Sequence, residues 1–323
     1  MKLKNFIKPQ NASLLWLSLV ALLTLGILVP IDMTASHFLA GHAITIMLLF
    51  LGVGFVGFVL RDNMVIFPSF LACIVLCTFI KESLTQEFTY SKSTDDIEVR
   101  VAHLVLDNEE SIAAFGQSFI GLETDFLSIQ TPIEPTLELQ LMKELSKKMP
   151  YWNKTICNNN TALFVFSSYE LKDLDTIYCK GNQTVSLVGT MFIDSSSQDQ
   201  ISFLSTKVPV GQGTHQEAEM HLDRLSEYIH TNFRNRPLLT LSGTKLASWT
   251  PEVQDFKEAH RFNDSKIDLE LISRDEHIFY SKDLVCTGFT EILEGNGILA
   301  TYQFRRPKKT AYNYKNDKMR SAL

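Results

Sequence analysis

The hydrophobic and polar positions divide the chain into two regimes. Residues 13–30 (SLLWLSLVALLTLGILVP), 38–60 and 64–80 are apolar runs, uncharged apart from His42. Each approaches the ~20 residues that cross a bilayer core, so the pattern predicts three transmembrane helices. Two further runs follow the first so closely that a cleavable signal peptide is the weaker reading of it. Residues 83–96 are mostly polar and predict a linker. Beyond them the apolar positions come in short alternating stretches. Residues 97–106 (IEVRVAHLVL) and 125–130 (DFLSIQ) predict strands, followed by strands at 161–167, 184–193 and 200–206. Helical spacing appears at 108–122, at 135–149 behind Pro135, at 214–232 and at 251–260. Strands at 237–241, 276–281, 284–290 and 298–304 complete the pattern. No internal repeat is evident, and the order of elements suits a two-sheet α/β sandwich.

Charge adds an orientation. Lys2, Lys4 and Lys8 precede the first run and Arg61 sits in the turn between the second and third, whereas the loop IDMTASH has no Lys or Arg. The positive-inside rule then places the N-terminus and the Arg61 turn in the cytoplasm, and three crossings carry the rest outside. Lys81 falls on the outer side, against the trend. In a bacterium this describes an inner-membrane protein with a periplasmic domain. Residues 1–82 carry net +2 and residues 305–323 net +6, so a whole-chain charge of −6 leaves −14 for residues 83–304. A body this acidic repels phosphate backbones and argues against nucleic acid as a partner.

The basic tail is different. Arg305, Arg306, Lys308, Lys309, Lys315, Lys318 and Arg320 alternate with two tyrosines. Such a segment is either a solvated tail or an electrostatic arm for anionic lipid or an acidic partner. Among the five cysteines, Cys157 and Cys179 flank residues 158–178 and are disulfide candidates in an oxidising compartment. Cys73 and Cys77 lie one turn apart in the third apolar run, and Cys286 sits in an apolar strand. The phrase HQEAEMH places His215 with Glu219 and Glu217 with His221 on separate helix faces, which fits a solvated helix better than a metal site. His42 has no partner His in the other apolar runs, so helix packing explains it better than haem ligation.

The element order and several local phrases resemble the endonuclease/exonuclease/phosphatase family over residues 97–304. The resemblance implies a four-layer α/β sandwich behind the three membrane helices, and some bacterial members carry similar N-terminal helices. It also implies a divalent metal held by a Glu, an Asp that orients water, an Asn and a His on the phosphate, and an assisting Asp–His pair. In this chain the framing residues of those motifs remain while the chemical ones differ. Val105 stands at the Asn that ends the first strand, and Thr131 at the metal Glu of the second. Thr206 stands for the His of a His-x-x-Pro phrase. In Gly243-Thr244-Lys245-Leu246, Thr244 replaces the Asp and Leu246 the Asn, while Ala247 to Pro251 keep the packing phrase that follows. Glu276 and His277 retain an acid–His pair, and Asn296 and Gly297 replace the terminal Asp-His.

The resulting expectation is a pseudoenzyme with no cofactor. It would be a membrane-anchored, extracytoplasmic binding or scaffold subunit of a bacterial envelope complex, divided as anchor 1–82, linker 83–96, domain 97–304 and tail 305–323. Two alternatives stay open. One is a metal-dependent phosphoesterase with a site rebuilt around Asp275, Glu276, His277 and Asn296. The other is a ligand sensor that uses the vacated cleft.

Overall fold

Three apolar helices open the chain: α1 (Pro9–Leu28), α2 (Ala43–Leu60) and α3 (Asn63–Leu84). The structure is a computed structural model of the full chain. It describes residues 9–29, 39–84, 97–106, 123–133, 135–157, 161–179, 184–194, 199–209, 215–234, 236–244, 246–265, 276–293 and 297–304. The helix expected at 108–122, Lys245, Asp275, Asn296 and the basic tail lie outside these residues.

Helices α2 and α3 are long and apolar enough to cross a bilayer, whereas the apolar part of α1 is the shorter stretch Ala12–Leu28. Among the described residues, two spans rather than three therefore meet the length that a bilayer core requires. α2 and α3 form a hairpin. Arg61 closes α2 in the left-handed conformation, with φ 57°. Gly57 lets the two helices approach, since a Cβ there would lie 2.9 Å from Val65 Cγ1. α1 is fastened by Trp16, whose Nε1 donates to Ser69 Oγ at 3.1 Å and whose ring meets Phe50 edge-on.

The remaining elements form two six-stranded mixed sheets. The first contains β1 (Val99–Val105), β2 (Phe126–Pro132), β3 (Tyr151–Cys157), β4 (Thr161–Ser167), β11 (Leu284–Ile292) and β12 (Gly297–Phe304), in the order β11-β12-β1-β2-β4-β3. The second contains β5 (Glu170–Cys179), β6 (Thr184–Asp194), β7 (Asp199–Lys207), β8 (Leu238–Gly243), β9 (Asn263–Asp264) and β10 (Glu276–Tyr280), in the order β5-β6-β7-β8-β10-β9. Within them β1–β2 and β7–β8 are the parallel pairs.

Side chains alternate across each strand, so every strand feeds two cores. Val101, Phe126, Val165, Phe203, Leu239, Leu241 and Ile278 meet between the sheets. On the outer face of the first sheet, Ala102, Leu104, Ile129 and Phe164 receive Leu141 and Leu145 of α4 (Pro135–Leu145). On the outer face of the second, Leu204 and Phe279 receive Leu222 and Leu225 of α5 (His215–Asn232) and Phe256 of α6 (Pro251–His260). The result is helix, sheet, sheet, helix: the expected four-layer α/β sandwich. Strands β3 and β5 were not expected from the sequence. Both are sheet edges with largely exposed side chains.

Candidate functional site

Following the inward positions along each strand leads from apolar to polar residues. On β1 the series is Val99, Val101, His103, Val105; on β2 it is Phe126, Ser128, Gln130; on β7 it is Ile201, Phe203, Ser205, Lys207. These ends form a buried polar seam between the sheets. His103 Nδ1 lies 3.1 Å from Ser128 Oγ, and Ser128 Oγ lies 2.8 Å from Ser205 Oγ across the gap. Farther along, the Lys207 ammonium donates to Thr161 Oγ1 on the opposite sheet at 3.2 Å. Gly243 lets Gln130 into the seam, because a Cβ at 243 would stand 2.3 Å from Gln130 Oε1. That oxygen and His103 Nε2 are buried without partners among the described residues. Burial lowers the His103 pKa to about 3, with the nearby His277 adding to the shift, so the ring is neutral.

The polar positions of the seam had not been singled out from sequence. Their signal was available: a polar residue at an inward, period-two position of an otherwise apolar strand. The positions that the family resemblance had singled out distribute differently. Val105 is buried at the inward end of β1. Thr131 points to the outer face beside α4, and its hydroxyl is buried without a partner among the described residues. Thr206 also points outward. Its Oγ1 lies 2.6 Å from Ser186 Oγ and 2.8 Å from His221 Nε2, under α5. The inward place at that strand end belongs to its neighbour Lys207, because a step of one residue exchanges the faces of a strand. His221 thus faces the sheet, where burial lowers its pKa to about 4, while Glu219 on the same helix is exposed.

A second polar cluster sits under α6. His277 Nδ1 lies 2.9 Å from Asp264 Oδ2, and His277 Nε2 donates to the Leu246 carbonyl at 3.1 Å. Both ring nitrogens are thus engaged, and the imidazole is fixed between β9 and the loop after β8. Each side chain of the His277–Asp264 pair is 1% exposed. Ser248 Oγ donates to Asp264 Oδ2 at 3.3 Å, and Gln254 Nε2 donates to the Ser248 carbonyl. Asp264 and Ser248 were not identified from sequence; the pairing of β9 with β10 is what brings Asp264 to His277. Thr244 Oγ1 accepts from the Leu246 amide at 3.1 Å, and Leu246 is a core residue under α6. Glu276 is buried opposite Gly243 in the β10–β8 ladder. Gly297 pairs with Leu104, where a Cβ would stand 2.2 Å from Leu104 Cδ2, so this position serves backbone packing. Cys179 is a free thiol packed beneath α5; the side chain of Cys157, its candidate disulfide partner, lies outside the described residues.

The fold's relatives would place a divalent cation at the strand ends. The donors present there fit it poorly. Among the described residues no three His, Cys, Asp or Glu side chains converge. The seam ends mainly in an ammonium, an amide and hydroxyls, with Glu276 on the inward face of β10 as one buried carboxylate; a single carboxylate beside an ammonium is a weak set for a divalent ion.

No protein-family model matches the chain, and no curated protein matches it by sequence. Solved structures do match in fold. The human Nocturnin catalytic domain with bound sulfate superposes with a TM-score of 0.52 at 14% identity, covering 65% of this chain and 96% of that one. A humanized D. rerio TDP2 gives 0.51 at 12% identity, covering 64% and 98%. An endonuclease/exonuclease/phosphatase family protein from Bacteroides thetaiotaomicron gives 0.50 at 11% identity, covering 66% and 100%. The sandwich therefore has the endonuclease/exonuclease/phosphatase fold.

Proposed function

We propose that the sandwich is a binding domain that has given up phosphoester hydrolysis, carried outside the cytoplasm of a bacterial cell by its N-terminal helices and serving as a docking subunit of an envelope complex. Fold alone does not decide between catalysis and binding; the site does. One observation carries the reading. The inter-sheet seam ends in Lys207, Thr161 and Gln130 with one buried carboxylate, Glu276, where hydrolysis by this fold would need a cluster of carboxylates. Thr131, Thr244 and Leu246 provide no metal-binding acid or general base. The −14 charge of residues 83–304 supports a basic or neutral protein partner over nucleic acid.

The full chain, purified in mild detergent, is expected to show no turnover of bis-p-nitrophenyl phosphate or p-nitrophenyl phosphate with Mg²⁺ or Mn²⁺ beyond that of the Lys207→Gln variant. It is also expected to copurify with a stoichiometric partner. Metal-dependent turnover, abolished by a single substitution in the domain, would overturn the reading in favour of a rebuilt hydrolase. The fold likeness to phosphoesterases and the Asp264–His277 pair favour that second reading. The pair, however, is sealed from solvent beneath α6, which leaves a substrate no approach to it.

A further inference from the structure

The segment after β8 is held from two sides. On the side of the sandwich, the Leu246 carbonyl accepts from His277 and the Ser248 hydroxyl donates to Asp264. On the other side, Ala247 and Trp249 join the apolar cluster of the N-terminal helices, together with Val20, Ile27, Ala43 and Ile44. Trp249 Nε1 donates to the Ala40 carbonyl, in the turn that leads into α2, at 2.7 Å. Both Ala40 and Trp249 are buried. Ala40 lies at the end of the α2–α3 hairpin remote from the Arg61 turn, the same end at which α3 leads toward the sandwich.

We infer that residues 246–250 are a strut that couples the membrane anchor to the second sheet. Asp264 and His277 are its positioning residues, and Trp249 is the pin that enters the anchor. A buried polar pair is costly to maintain unless its hydrogen bonds are made. Here the pair is spent on the backbone and hydroxyl of the loop itself. An indole with an apolar body and one N–H suits the end of a membrane helix, where one part is greasy and one polar. Displacement of α2 by a partner in the membrane is then transmitted through Trp249 and Ser248 to the ends of β8 and β10. The same strut turns this end of the sandwich toward the bilayer.

The inference rests on the anchor reading, and incorporation of the chain into lipid nanodiscs reports on that reading separately. Coupling needs a response at a distance, beyond mere adjacency. Hydrogen exchange of the full chain in phosphatidylcholine nanodiscs supplies it. Trp249→Ala is expected to speed exchange about tenfold over residues 39–47 as well as 246–252, the equivalent of one lost hydrogen bond. Trp249→Phe, which keeps the ring contact and loses the N–H, should give a smaller rise. Asp264→Asn changes a residue that lies outside the N-terminal helices, yet it should raise exchange at 39–47 while the sheets stay protected. Should that variant unfold the sandwich, Ser248→Ala takes its place. Unchanged exchange at 39–47 in Trp249→Ala and in the folded Asp264→Asn or Ser248→Ala variant overturns the strut.

Discussion

Two buried histidines show how a single side chain's setting becomes a property of the whole domain. His103, inside the inter-sheet seam, and His221, between α5 and β7, are held neutral with pKa values of about 3 and about 4, in each case chiefly by burial. In the unfolded chain both return to about 6.5. Below pH 6.5 the unfolded state therefore binds more protons than the folded one, and stability falls as pH drops. The loss continues to about pH 4 for His221 and about pH 3 for His103. Each ring adds at most about 1.4 kcal/mol per pH unit to the slope. Urea denaturation from pH 6.5 to 4 should accordingly show a shallower decline for His221→Gln than for the parent chain. An equal slope in the two proteins would place the proton uptake elsewhere. Neither ring was recognised as buried from sequence, since HQEAEMH has the polarity of an exposed helix face and only docking against Thr206 reveals which side turns inward.

At the level of elements, the strands that sequence patterning identified are those with at least one apolar face. Residues 161–167 match β4 throughout, β6 and β12 differ from expectation by a residue at one end, and β7 by a residue at each end. Edge strands are another matter. β3 (YWNKTIC) and β5 (ELKDLDTIYC) have charged and exposed side chains, a composition that discourages pairing with other chains and also hides a strand from pattern reading. β5 is further disguised by Asp173, whose φ of 52° accompanies a shift of register between Lys172 and Asp175. A left-handed backbone costs an ordinary residue roughly 1–2 kcal/mol, of which glycine's greater chain entropy returns part. Asp173→Gly is therefore expected to stabilise the domain by about 0.5–1 kcal/mol in urea unfolding. A loss of stability instead would mean that the aspartate side chain compensates its own backbone.

For the molecule as a whole, the central question is which way it faces. Exposed Phe55, Val59 and Leu71 give α2 and α3 the outer surface of membrane helices, and the Arg61 turn lies at the end away from Trp249. Reporter fusions test the proposed orientation directly. A fusion at Arg61 is expected to be active only for a cytoplasmic reporter, and one after Phe304 only for an extracytoplasmic reporter. Activity of only the cytoplasmic reporter at both positions would reduce the crossings between them to an even number and remove the periplasmic placement of the sandwich.

The amino-acid sequence by itself determined the apolar helices, the acidic body, the order of most strands and the family of folds to which that order corresponds. These features depend on hydrophobic periodicity and composition, which act locally. It also located the loop SGTKLASWTP and placed Thr244 and Leu246 where the family resemblance implies an acid and an amide. Tertiary structure decided what that loop does. Whether Thr206 or Lys207 enters the seam depends on a one-residue register across the β7–β8 ladder. Whether His277 has a partner depends on β9 bringing Asp264 beside it. Whether Trp249 packs in its own domain or on a helix 209 residues away depends on how the sandwich sits on its anchor. Such contacts join residues distant in sequence, and no pattern within either segment specifies the other.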